Sequence, residues 1–134
     1  LRDYLGQSNL VLFFCPKMSS PCGIKEITEF SDHDMDFARH ACAVVGVGRA
    51  DCLALATLRD HEGIGIRLLA DCDARVAKAY GAWQAREVDG HRKFGVTRST
   101  FIIDRGGIVR HALYNINYKG HALDVLRLVK ELDS

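Results

Sequence analysis

"FFCPKMSSPCGIKE", residues 13–26, joins the end of an apolar run to the start of a helix across a turn holding a proline, two serines and two cysteines. The run itself, "LVLFFC" at residues 10–15, suits a buried strand and falls far short of the ~20 apolar residues that cross a bilayer. Pro21 fits the first turn of a helix, since it has no N–H to lose there. Ser20 before it can cap, its hydroxyl accepting from an unpaired backbone N–H. Cys22 then falls in the first helical turn, where the helix dipole and nearby N–H groups favour thiolate over thiol. Strand, proline turn and thiol-bearing helix set the frame for the rest of the chain.

Downstream, strand-like and helical patterns alternate. Residues 22–40 carry Ile24, Ile27, Phe30, Met35 and Phe37 at roughly helical spacing. "ACAVVGVG" (41–48) is a second apolar strand, and residues 50–63 read as a helix closed by Gly63. "IRLLAD" (66–71) is a short strand, and "ARVAKAYG" (74–81) a short helix. "STFIID" and "GIVRHALY" flank "RGG" as a hairpin, and residues 120–133 place Ala122, Val125, Leu126, Val129 and Leu132 on one helical face. Strand–helix alternation followed by a hairpin implies parallel strands with crossovers and then an antiparallel pair. The expected fold is therefore a single-domain, three-layer α/β/α sandwich on a mixed sheet.

The 134 residues suffice for one core, and the formal charge of +1 is scattered along the chain. No basic face is offered to nucleic acid or an acidic membrane. The start, "LRDYLGQSN", lacks both parts of a signal peptide. Five cysteines (Cys15, Cys22, Cys42, Cys52, Cys72) without a C-x-x-C pair fit thiols in a reducing, cytoplasmic setting better than a disulfide framework.

Two motifs are set aside. "VVGVGRAD" has Gly-x-Gly but no third glycine of a dinucleotide fingerprint. Asp32, Asp34 and Asp36 imitate a calcium loop, but Phe37 stands where its glycine belongs. The six histidines show no metal spacing, and no cofactor is implied. His33, His40, His61 and His91 read as surface residues, whereas His111 and His121 are closer to structure.

The chain resembles the peroxiredoxins, specifically the Q-type or bacterioferritin-comigratory branch of the alkyl hydroperoxide reductase and thiol-specific antioxidant family. The likeness is carried by "VLFFCPKMSSP" with "KE", "LLADCDARVAKAYGAW", "FGVTRSTFIIDRGGIV" and "KGHALDVLRLVKEL". It implies a thioredoxin-like sandwich and a thiol peroxidase that reduces hydrogen peroxide or alkyl hydroperoxides through a cysteine sulfenic acid. Pro16 fits the family's shielding proline, Ser20 the hydroxyl that meets the peroxide, and Arg98 the arginine that holds thiolate and peroxide. Glu26 matches a glutamate common in this branch. A peroxide substrate and a thioredoxin, glutaredoxin or small-thiol reductant follow, with a monomer or weak homodimer as the expected assembly.

The family's spacing puts the reactive cysteine at Gly23, so Cys22 stands one residue early. One helical step is about 100° of rotation. Cys22 is the expected nucleophile if the turn rewinds around Gly23; the alternative is a non-catalytic domain with a displaced cysteine. The family's resolving slots fall on Thr28 and near Arg59. That leaves Cys52, two turns earlier, and Cys15, in place of an aromatic before the proline, as auxiliary thiols. A disulfide exchanger using Cys15 and Cys22 is a third reading, without C-x-x-C support. The resemblance also implies an N-terminal hairpin that does not precede "LRDYLGQSN" here, which points either to a sequence that is part of a longer chain or to one sheet edge without cover.

Overall fold

In a computed structural model, which describes residues 6–18 and 20–132, the elements follow the expected alternation with two additions. In chain order they are β1 (Asn9–Phe14), α1 (Pro21–Asp32), α2 (Asp34–Arg39), β2 (Cys42–Gly48), α3 (Cys52–Glu62), β3 (Arg67–Ala70), α4 (Arg75–Ala79), β4 (Trp83–Val88), β5 (His91–Val96), β6 (Ser99–Ile103), β7 (Val109–Leu113) and α5 (His121–Leu132). The readings placed on residues 1–5 and on Asp133 lie outside the described residues.

β1 is the central strand, buried along its whole length. It pairs in parallel with β2 and antiparallel with β6, giving the sheet order β3-β2-β1-β6-β7. Strand periodicity of two then divides the core. Leu10, Leu12 and Phe14 pack with Val45, Val47, Phe101 and Ile103 on the face covered by α4 and the base of the β4–β5 ribbon. Val11, Phe13 and Cys15 point to the other face, against Ile27 and Phe30 of α1, Phe37 of α2 and Val125 and Val129 of α5. This is the expected thioredoxin-like α/β sandwich. Among the described residues no helix is long and apolar enough to cross a membrane.

The helix expected over residues 22–40 is broken. His33 leaves the helical region (φ −103°, ψ 11°), and a new helix starts at Asp34. The turn buries Phe37 but leaves Met35 73% exposed, so Met35 does not belong to the core stripe. The β4–β5 ribbon was not expected; Asp89 and Gly90 both take positive φ (52° and 77°) at its tip. That left-handed pair suits a two-residue hairpin turn.

The glycines of the set-aside Gly-x-Gly serve packing. A Cβ on Gly46 would come within 2.6 Å of the Phe13 ring, and one on Gly48 within 2.6 Å of Met18 Sδ. Asp71, at the end of β3, is buried because its carboxylate accepts from Val76 N at 3.1 Å and Ala77 N at 3.0 Å, fastening α4 to the sheet.

Candidate active site

The parallel strands β1 and β2 both end at one edge of the sheet, and the turn after β1 feeds α1 there. Ser20 caps α1 from an extended conformation (φ −72°, ψ 158°) with Pro21 opening the helix. Its Oγ accepts from Gly23 N at 3.1 Å and donates to Lys17 O at 2.6 Å. The cap therefore pins the first turn of α1 against the turn that precedes it.

This register places Cys22 on the exposed side of α1 and Gly23 on the buried side. Gly23 lies so near the Lys17–Met18 backbone that a Cβ would overlap the Lys17 carbonyl oxygen and sit 2.8 Å from Met18 O. The position at which the resemblance expects a cysteine is closed here by main chain. Gly23→Ala should therefore destabilise the fold by about 1–3 kcal/mol, the usual result of overpacking. Alanine would otherwise favour a helix by roughly 0.5–1 kcal/mol over glycine, so a loss in chemical denaturation isolates the steric term.

One turn further, Glu26 points from the same buried face and is 1% exposed. Arg98, in the link between β5 and β6, donates from Nη1 to Glu26 Oε1 at 2.9 Å. Its backbone is held by Ile116 N on Arg98 O at 3.1 Å, and its guanidinium lies over the Tyr118 ring at 5.6 Å. Burial raises the Glu26 carboxyl to about 7 even though Arg98 opposes the shift. Its Oε2 is buried with no hydrogen-bond partner among the described residues.

Cys15, at the end of β1, is fully buried beside this pair. Burial and then the Glu26 charge push its thiol up to about 12, while Arg98 and the Lys17 backbone N–H pull the other way. Thus Arg98, Glu26 and Cys15 come together on the Gly23 face of α1, and Cys22 stands on the solvent side. Ser20 bridges the two through Gly23 N. Pro16 borders the turn and, with Lys17, Met18, Arg49 and Leu58, lines an open cleft of about 260 Å³ against α3.

Cys52 opens α3 behind an Asp51 cap and is exposed. It shares a second cleft with Ala56, Arg59, Leu68 and Ala70, on the β3 side of the helix, whereas Ala54 and Leu58 face the Pro16 turn. Cys42 heads β2 opposite Asn9, at the other end of the sheet.

Sequence reasoning did not find Arg49, which stacks over the Trp83 ring at 4.9 Å and borders the cleft. It also did not pair His121 with Thr100, whose Oγ1 lies 2.8 Å from His121 Nε2. Burial there holds the imidazole down to about 4, so it is neutral at pH 7. No local motif marks either contact, since both are long-range. Among the described residues no cluster of His, Cys, Asp or Glu could hold a metal ion.

With this geometry in view, residues 1–112 match the AhpC/TSA family. The chain is 35% identical over 127 residues, 95% of its length, to a protein of Mycobacterium tuberculosis named as a peroxiredoxin, of which it covers 80%. It is 27% identical to the peroxiredoxin Bcp of Bacillus subtilis, over 98% of this chain and 83% of that one. The solved bacterioferritin comigratory protein of Xanthomonas campestris, studied for alkyl peroxide reduction, superposes with a TM-score of 0.96. It is 27% identical, with all of this chain and 85% of that one covered.

Proposed function

The chain belongs to the AhpC/TSA family and is a peroxiredoxin-type thiol peroxidase, and we propose that Cys22 is the nucleophile of its reaction with hydrogen peroxide or an alkyl hydroperoxide. The observation that carries this assignment is an exposed thiol in the capped first turn of α1. An anionic sulfur there meets the positive end of the helix dipole. Such a sulfur attacks one peroxide oxygen, the O–O bond breaks, and the departing oxygen takes a proton to leave as water or an alcohol. Cys22 is left as a sulfenic acid.

The other residues act around that step. Ser20 offers a hydroxyl at the helix mouth once a peroxide replaces one of its present partners. Pro16 and Met18 give the turn an apolar rim, and Arg98 supplies fixed positive charge from the Gly23 face. Glu26 fixes the guanidinium through the 2.9 Å Nη1–Oε1 bond, and its charge acts on the sulfur at a distance, across the first turn of α1.

Reduction is completed by a thioredoxin, a glutaredoxin or a small thiol, to which an exposed Cys22 is accessible. A monomer or weak homodimer working in a reducing compartment such as the cytoplasm suits unbridged cysteines. The test is peptide mapping of the protein after one equivalent of hydrogen peroxide, beside peroxide consumption with a thiol reductant. Oxidation is expected at Cys22; oxidation confined to Cys52 or Cys72 would overturn the assignment.

A further inference from the structure

A sulfenic acid at Cys22 needs a second thiol, and the described cysteines are not equally placed to supply it. Cys42 lies at the opposite end of the β1–β2 pair, separated by a strand that rises roughly 3.3 Å per residue. Cys52 faces β3, and Cys72 Sγ rests on Ala50 O at 3.4 Å. Cys15 precedes the very turn that carries Cys22, with six residues between them.

Cys15 also has a feature that packing alone does not call for. Its neighbour Glu26 is a carboxyl 1% exposed, and Oε2 has no hydrogen-bond partner among the described residues. The Cys15 thiol is close enough to influence this carboxyl and is the buried proton donor beside it. A thiol that must become a thiolate only after Cys22 is oxidised is best stored protonated next to a base.

We propose that Cys15 is the resolving thiol of this peroxidase, and that Glu26 accepts its proton. The proposal rests on the reading of Cys22 as nucleophile. As the Cys15 S–H proton passes to Glu26, Cys15 sulfur attacks Cys22 sulfur. The S–S bond forms, the Cys22 S–O bond breaks, and the hydroxide that leaves takes the proton from Glu26 as water. Two thiols and one peroxide thus give one disulfide and two waters, or water and an alcohol. An external thiol then reduces the bridge.

A disulfide brings its Cα atoms to about 4.4–6.8 Å, so the first turn of α1 must unwind to turn Cys22 inward. That movement opens the Ser20 cap together with the bonds from Ser20 N to Lys17 O at 3.2 Å and from Ile24 N to Ser20 O at 2.9 Å, while the proline that starts the turn donates none. The groups facing Glu26 are Cys15 just after β1, Arg98 from the β5–β6 link and Glu29 on its own helix.

The experiment treats the whole protein with one equivalent of hydrogen peroxide, without reductant, then alkylates it and maps peptides unreduced. The expected product is an intramolecular Cys15–Cys22 bridge, two hydrogens lighter than the parent. Cys15→Ala should lose the bridge and leave Cys22 sulfenic acid that a 1,3-dione probe captures. The rate of bridging should rise with pH through about 7 in the parent, and this rise should be lost in Glu26→Gln. A bridge from Cys22 to Cys52 or Cys72, a bridge between chains, or sulfenic acid persisting in the parent overturns the role of Cys15 while leaving Cys22 as nucleophile. Cys22 left unoxidised overturns both.

Discussion

Cys22→Ser is expected to lower peroxide consumption by at least about a thousandfold, roughly 4 kcal/mol of transition-state stabilisation. A serine hydroxyl is not ionised at neutral pH, and among the described residues no base is hydrogen-bonded to position 22. The substitution is on the exposed side of α1, so the fold should be unaffected and the melting temperature should stay near the parent's. Initial rates with a dithiol reductant measure the effect, and Cys72→Ser, on the loop after β3, is the matched control. Parental turnover in Cys22→Ser would assign the chemistry to another thiol.

Arg98→Met carries the second large effect, on stability as well as rate. Removing the guanidinium leaves Glu26 buried without its ion-pair partner, and breaking one side of such a pair costs about 3–5 kcal/mol. That cost depends on pH. Glu26 already titrates near 7, above the ordinary carboxylate range, so the folded state keeps a proton that the unfolded chain releases. Stability from this group is present at low pH and declines as pH rises towards 7. Without Arg98 the Glu26 value climbs further, so the decline continues to higher pH. The deficit of Arg98→Met against the parent should be small near pH 5 and grow steadily as pH rises above 7, measured by chemical denaturation. Adding Glu26→Leu should recover most of it. Peroxidase rates should fall less than in Cys22→Ser, since Arg98 lies on the Gly23 face of α1 and reaches the exposed sulfur only through its field.

The sheet was readable because its signals are local. The apolar run at residues 10–15 and the β-branched run at 41–48 announce buried strands, and alternation along the first already puts Cys15 on one face with Val11 and Phe13. The β4–β5 ribbon carried its own signal in Asp89-Gly90, hidden because its strands are polar and lie off the main sheet. The break at His33 has no proline or glycine to mark it; it comes from tertiary packing of Phe37 ahead of β2.

At the site, the resemblance pointed to position 23, one helical step from Cys22. What it does not reveal is burial of charge. Carboxylates are seldom buried unless paired, so the position of Glu26 beneath Arg98 depended on the link between β5 and β6 folding back over α1. The closeness of Cys15 to both is likewise a product of the assembled sheet.

The approach of Gly23 to the Lys17 carbonyl also bears on how such a site can change over generations. A thiol cannot be walked from position 22 to position 23 by substitution alone, because the main chain has settled into the space its Cβ requires. Gly23→Cys by itself meets backbone, whose displacement would in turn disturb the Ser20 cap and the Met18 side chain seated on Gly48. The two arrangements are separated by an epistatic barrier: the turn has to open first, and only then does a cysteine at 23 become a neutral or useful change.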